Sequence, residues 1–254
     1  MKKTAFITGA GGYIGGTIAR TLAAGGLQVA VCDILQERAE QTVQMIRADG
    51  GTAIGLVLDV TDPSAVDAAV QKTADAFGSL DICVHAAGGS ARVAGPEVHT
   101  SLLVDREDFV IDAVLKINLY GALYVSRAAA RQMIRQGSGG RIINIASVVG
   151  VNGLRKSAEY AAAKGGVIAA TKALAKEVGA YHITANTVSP GVVVRPGEND
   201  AKAESTNFLG ERCTAQDIAD AVAFLASEQA HFITGHNLVV DGGRSLAMRG
   251  SELK

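Results

Sequence analysis

The chain has 254 residues, 48% of them hydrophobic and 19% charged, which is enough apolar material for a buried core and too much for a disordered chain. Its 24 basic and 25 acidic side chains leave a formal net charge of −1, so it carries no electrostatic footprint for nucleic acid or an anionic membrane. Three cysteines without C-x-x-C spacing (Cys32, Cys83, Cys213) argue against a disulfide framework or a zinc ribbon and for a reduced, cytoplasmic setting.

Short apolar runs alternate along the chain with longer helical patterns. The first strand is predicted at Thr4–Thr8, and a glycine-rich turn leads to a helix over Ile14–Ala24. Leu27–Cys32 reads as the second strand, Gln36–Ala48 as a polar helix and Thr52–Leu58 as the third strand. Asp62-Pro63 opens a helix through Phe77, with proline at a favourable first-turn position. Ile82–His85 is the fourth strand, and one long amphipathic helix is expected over about Arg106–Gln136. Arg141–Ala146, a helix over Ser157–Gly179, Ile183–Val188, a helix over Ala215–Ala226 and a last strand at Asn237–Val240 complete the series. No uninterrupted apolar run reaches the roughly 18 residues of a membrane span. The apolar residues after Met1 stop at Thr8-Gly9, too soon for a signal peptide.

Near-continuous apolar strands separated by helices predict a single α/β domain, a Rossmann-type doubly wound parallel sheet of seven strands with helices on both faces. Two irregular stretches, 88–105 and 191–212, are longer than ordinary connections, and the second is expected to form a lid. Both follow strand carboxyl ends, where ligands bind in such folds.

Between the first strand and first helix lies Thr8-Gly9-Ala10-Gly11-Gly12-Tyr13-Ile14-Gly15. Glycines at this position allow a tight turn and bring backbone N–H groups close to a pyrophosphate, while the helix N-terminus adds partial positive charge. Asp33, at the end of the second strand and 18 residues beyond Gly15, suits hydrogen bonding to ribose hydroxyls and repels a 2′-phosphate, favouring NAD over NADP. A tight turn with a solvated aspartate is the plainer alternative; placement in the first βαβ unit favours the nucleotide.

Tyr160 and Lys164 are four apart on a predicted helix and share one face, and Ser147 falls just after the fifth strand, 13 residues before Tyr160. A phenol titrates near 10, so it needs a neighbour such as an ammonium to exchange protons near neutrality. A hydroxyl beside it can hold a substrate oxygen. This constellation suits hydride transfer between a carbinol carbon and a nicotinamide.

The chain resembles the short-chain dehydrogenase/reductase family, in its compact branch of about 250 residues, over nearly its whole length. The resemblance rests on TGAGGYIG, Asp33, Leu58-Asp59-Val60, His85-Ala86-Ala87-Gly88, Asn118 in KINLYGALYV, Ser147, Tyr160-Ala-Ala-Ala-Lys164, Ser189-Pro190-Gly191 and ITGHNLVVDGG. It implies that Tyr160 is the acid/base and that Ser147 orients the substrate oxygen. Lys164 would bind nicotinamide-ribose hydroxyls and depress the tyrosine pKa, and Asn118 would hold a water beside it. Cofactor contacts are implied at Gly9, Gly12, Tyr13, Ile14, Gly15, Asp33 and Ile34. Asp59 and Val60 should meet adenine, Ala86, Ala87 and Gly88 the adjoining ribose, and Pro190, Gly191 and Val193 the nicotinamide. A homo-oligomer, as a tetramer, is implied in the same way, with Arg127, Arg131 and Arg135 forming a basic stripe on a helix that often lies at a subunit interface.

Three positions depart from the family pattern. Tyr13 replaces the middle glycine of TGxxxGxG, leaving TGxxGxxG spacing through Gly12, a form commoner in the epimerase-type branch. His85 stands where asparagine is usual, and Arg195 stands where threonine binds the carboxamide. The substrate pocket is expected to include Arg92, Val149, Asn152 and Arg195, which points to a polar alcohol or ketone such as a sugar, polyol or hydroxy acid. A ketoacyl- or hydroxysteroid-type reductase, a nucleotide-sugar epimerase and a non-catalytic NAD sensor or scaffold are the alternatives. No metal site is expected, since the five histidines show neither H-x-H nor HExxH spacing.

Overall fold

The computed structural model describes residues 2–89, 101–195 and 207–246. Seven parallel strands form one sheet: β1 (Thr4–Thr8), β2 (Gln28–Asp33), β3 (Thr52–Val57), β4 (Ile82–His85), β5 (Gly140–Ile145), β6 (Ile183–Pro190) and β7 (Asn237–Val240). Their order is β3-β2-β1-β4-β5-β6-β7. The doubly wound, single-domain α/β architecture is therefore the one expected. Connections run outward in opposite directions from β1 and β4, so a crevice opens at the carboxyl ends of that pair.

Strand side chains alternate between two cores. Ile7, Val31, Val84, Ile143 and Val188 face the layer of α1 (Tyr13–Ala24), α2 (Gln36–Ala48) and the final helix. Phe6, Cys32, Cys83, Ile142 and Ile183 face α3 (Pro63–Phe77) and the helices that follow β4. Burial pushes the Cys83 thiol up to about 12, in keeping with a small core residue. Asp62 caps α3 by accepting from the Ser64 and Ala65 backbone N–H at 2.8 and 3.2 Å, and Gly78 at φ 86° ends it.

The single long helix expected over Arg106–Gln136 is divided. It comprises α4 (Asp108–Leu115), a π-helical turn (Lys116–Tyr120) and α5 (Gly121–Gln136). The cause is Asn118, whose Nδ2 donates to the Val114 carbonyl at 3.0 Å, competing for an acceptor that a regular helix gives to the backbone. By length and composition alone Asp108–Gln136 could cross a membrane. Here Val114, Val125, Ala129 and Met133 are buried in this protein's own core.

After β5 come a short α6 (Val149–Asn152), not foreseen from the pattern, then α7 (Ala158–Val178) and α8 (Ala215–Ala226). Thr214 and Asp217 form a capping box at the start of α8. β6 runs two residues past the predicted Val188, because Pro190 still pairs with Val240 and places its own carbonyl in reach of the Val148 N–H.

Ile143, 1% exposed in the middle of the sheet, is a sensitive core position. Ile143→Ala should lower stability by about 2–5 kcal/mol through lost burial and a residual cavity. Urea unfolding measures this, and a loss under 1 kcal/mol would show that the site collapses around the smaller side chain.

Candidate active site

The crevice between β1 and β4 contains a cleft of about 530 Å³. One wall is the turn after β1, with Gly9, Gly12, Tyr13, Ile14 and Gly15. A second is the end of β4, with Ala86, Ala87, Gly88 and Gly89. Val149, Leu154, Ser157, Tyr160, Val193 and Arg195 close the far side.

The β1 turn is built for close approach. Gly9 has φ 66°, and a Cβ there would meet the Ala87 backbone at 2.7 Å, so only glycine lets the two strand ends touch. Gly12 is the N-cap of α1 and has no side chain to cap it, which leaves first-turn N–H groups free to meet a ligand in the cleft. Asp33, 6% exposed, accepts from the Gly11 N–H through Oδ2 and from the Leu35 N–H through Oδ1, both at 3.1 Å. An uncapped helix N-terminus with a pinned carboxylate beside it fits the pyrophosphate and ribose of a dinucleotide. The Tyr13 substitution does not close the turn; its side chain lines the cleft wall instead.

Ser147, Tyr160 and Lys164 converge at the other end. Ser147 lies two residues beyond β5, and its Oγ accepts from the Val149 N–H at 3.1 Å. Its side chain lies close enough to the Tyr160 phenol to pull that group's pKa down. Lys164, 4% exposed, donates from Nζ to the Ile145 carbonyl at 2.9 Å and lies 5.7 Å from the centre of the Tyr160 ring. Burial pulls its ammonium down to about 8.

The Tyr160 phenol departs from the depression expected from Lys164. Burial pushes it above the ordinary tyrosine value, and the neighbouring Ser147 side chain pulls less strongly the other way. With the ammonium turned to the Ile145 carbonyl, desolvation of the phenolate dominates, and the phenol rests protonated.

Asn118 is fully buried on the π turn. Its Oδ1 accepts from the Gly89 N–H at 2.9 Å and its Nδ2 donates to the Gly89 carbonyl at 3.1 Å, clamping the segment after β4. A Cβ on Gly88, at φ 146°, would come within 2.5 Å of Asn118 Oδ1 and 3.4 Å of Lys164 Nζ. Asn118, Gly88 and Lys164 therefore form one packed group.

Other predicted positions lie further out or face elsewhere. Asp59 is exposed, with Oδ1 accepting from the Thr61 N–H and hydroxyl, both at 2.8 Å. The Val60 side chain is 5% exposed and packs in the core, which leaves only its backbone facing outward for the adenine contact expected there. Ile34, 59% exposed, borders a neighbouring depression together with Val57. Gly191 packs on Asp241, where a Cβ would lie 2.8 Å from the Asp241 Cβ. Asn152 is drawn away from the cleft by donating to the Ser245 carbonyl at 3.1 Å. Arg92 and residues 196–206 of the expected lid lie outside the described residues; at the lid's base Val193 pairs with Cys213. Gly89 and Ser157 were missed as cleft residues, although Gly89 continues the glycine pair after β4.

His85 occupies the position where asparagine was expected. Its Nδ1 shares a hydrogen bond with the Thr8 hydroxyl at 2.9 Å, while Nε2 finds no partner among the described residues. Burial, aided by the Lys164 charge, lowers its pKa to about 3, so the ring is neutral. The folded protein thus refuses a proton that the unfolded chain accepts between about pH 3 and 6.5. Stability rises with pH across that window and is lost as pH falls through it, by at most about 1.4 kcal/mol per unit. Urea unfolding at pH 4.5 and 7 should show a larger acid loss for wild type than for His85→Asn, and equal losses would contradict it.

Comparison with known proteins gives consistent matches over this whole framework. Residues 9–245 match the family model described as enoyl-(acyl carrier protein) reductase. The chain is 38% identical to the 3-oxoacyl-(acyl-carrier-protein) reductase FabG of Escherichia coli over 247 residues, covering 95% of this chain and 96% of the relative. It is 36% identical to the short-chain reductase protein NovJ of Streptomyces niveus over 257 residues, covering 96% and 94%. It is also 36% identical to the trans-4-hydroxycyclohexanecarboxylate dehydrogenase of Sinomonas cyclohexanicum over 254 residues, covering 96% and 93%.

Proposed function

Since the chain belongs to the short-chain dehydrogenase/reductase family, whose members use nicotinamide dinucleotides, we propose that it is an NAD-dependent oxidoreductase interconverting a secondary alcohol and a ketone. The observation that carries this reading is the meeting of Ser147, Tyr160 and Lys164 at the end of a cleft whose other end is an uncapped helix N-terminus. Bound dinucleotide supplies the hydride acceptor or donor. Tyr160 gives its proton to the carbonyl oxygen in reduction and takes it back from the hydroxyl in oxidation. Ser147 donates a hydrogen bond to that oxygen. Lys164, charged at neutral pH, stabilises the phenolate during the transfer. The backbone of Pro190 to Val193 and the Ala86–Gly88 segment would hold and orient the bound dinucleotide.

Asp33 supports NAD as the partner, because a carboxylate anchored by two backbone N–H groups cannot swing away from a 2′-phosphate. A titration should therefore give tighter binding of NADH than of NADPH, and the reverse order would overturn the cofactor assignment.

The substrate proposed is a small polar molecule, a sugar, polyol or hydroxy acid, and Arg195 at the cleft wall favours an anionic member of that class. A second reading, an oxidised or hydroxylated acid with a larger apolar body, draws on Val149 and Leu154 in the same wall. It is in keeping with relatives named for 3-oxoacyl and hydroxycyclohexanecarboxylate substrates. The proposed assembly is a homotetramer in the cytoplasm, using the face between α5 and α7 where Leu123, Ile134, Arg127 and Arg131 line a groove of about 580 Å³.

A spectrophotometric screen over sugars, polyols, hydroxy acids and hydroxysteroids tests the activity. Tyr160→Phe should lose at least about 100-fold in kcat on any substrate found while keeping NADH affinity. A wild-type protein that binds NADH and turns over no alcohol or ketone would instead be a sensor.

A further inference from the structure

One residue before Tyr160 in sequence, and not among the residues lining the cleft, stands a buried ionic partner. The Arg106 and Glu159 side chains are 2% and 0% exposed, with Nε 3.6 Å from Oε2. The same guanidinium donates through Nη2 to the Ser101 carbonyl at 3.0 Å and to the Lys156 carbonyl at 2.8 Å. Lys156 holds φ 66°, a left-handed conformation that lysine adopts only where its surroundings impose it. Neither oxygen of Glu159 accepts a hydrogen bond among the described residues, so the neighbouring guanidinium is what offsets its removal from water.

The pair stands where Tyr160 is oriented. Glu159 precedes Tyr160 in the first turn of α7, a turn whose N-cap, Ser157, provides no side-chain cap. Arg106 lies two residues before α4, and Val110 and Val114 of α4 pack on the Tyr160 ring. One guanidinium thus joins three segments: the chain at Ser101, the turn at Lys156 and the turn that carries Tyr160. A charge with several fixed partners allows one register, whereas apolar contacts such as Val110 on the ring tolerate sliding.

We propose that Arg106 and Glu159 are positioning residues, whose buried pair sets the angle at which Tyr160 meets Ser147 and the substrate oxygen. This rests on the reading of Tyr160 as the proton donor. Misplacement of a reacting group by about 1 Å can cost about 100-fold in rate. The test uses the full chain with three variants: Glu159→Gln, Arg106→Lys and the double variant R106M/E159M, which exchanges the pair for packed apolar groups. Glu159→Gln and the double variant should lose about 10- to 100-fold in kcat, with NADH affinity and substrate KM within about twofold. Arg106→Lys, which keeps the charge and loses the fork, should fall between them and wild type.

Carbon-13 labelling of the tyrosine ring carbon that bears the hydroxyl supplies a readout independent of turnover. The Tyr160 signal should move in Glu159→Gln while those of Tyr13, Tyr120, Tyr124 and Tyr181 stay. A double variant with wild-type kcat and an unmoved Tyr160 signal would reduce the pair to a purely structural element. If Glu159→Gln does not fold, the double variant and Arg106→Lys carry the same comparison. If wild type turns over nothing, the functional reading fails, and the Tyr160 signal alone decides the positioning role.

Discussion

The hydrogen bond from the Lys164 ammonium to the Ile145 carbonyl anchors α7 to the carboxyl end of β5, and the site is arranged around it. Once that bond is made, helical periodicity places Tyr160 one turn nearer the helix start on the same face. Strand geometry carries Ser147 two residues beyond Ile145, to where it meets the phenol. The cost of burying the ammonium appears as its lowered pKa, and the carbonyl keeps that cost tolerable by satisfying one of its donors.

Around this anchor the structure gives up local regularity in favour of fixed geometry. Asn118 diverts an acceptor and opens a π turn, Lys156 sits in the left-handed region, and Arg106 and Glu159 bury opposite charges. His85 buries a nitrogen without a partner. His85 ends β4 and the other three lie on the connections that follow β4 and β5, while the two cores are built from ordinary aliphatic packing. Departures from the usual rules gather where a fold is bound to function rather than to stability.

The two ends of the cleft are electrostatically unlike. At the β1 turn, aligned backbone dipoles and a pinned carboxylate offer fixed partial and full charges that need no rearrangement to meet a dinucleotide. At the Tyr160 end, desolvation holds a phenol protonated with the buried Lys164 ammonium 5.7 Å from its ring centre. Arg195 and the aliphatic side chains of Val149 and Leu154 line the same cleft.

Much of this was legible from the order of residues alone. The alternation of apolar runs with amphipathic stretches specified a parallel sheet with helices on both faces, because a strand covered on both sides has no polar face. The four-residue spacing of Tyr160 and Lys164 and the position of Asp33 specified their places, since both are consequences of local period. What tertiary structure decided was everything that depends on which distant groups exclude water. That covers the rise of the Tyr160 pKa over the expected fall, the turning of Val60 into the core, the diversion of Asn152 to the Ser245 carbonyl and the burial of Arg106 against Glu159. Periodicity is a property of neighbours along the chain, whereas desolvation and ion pairing belong to neighbours in space, and Arg106 and Glu159 are 53 positions apart.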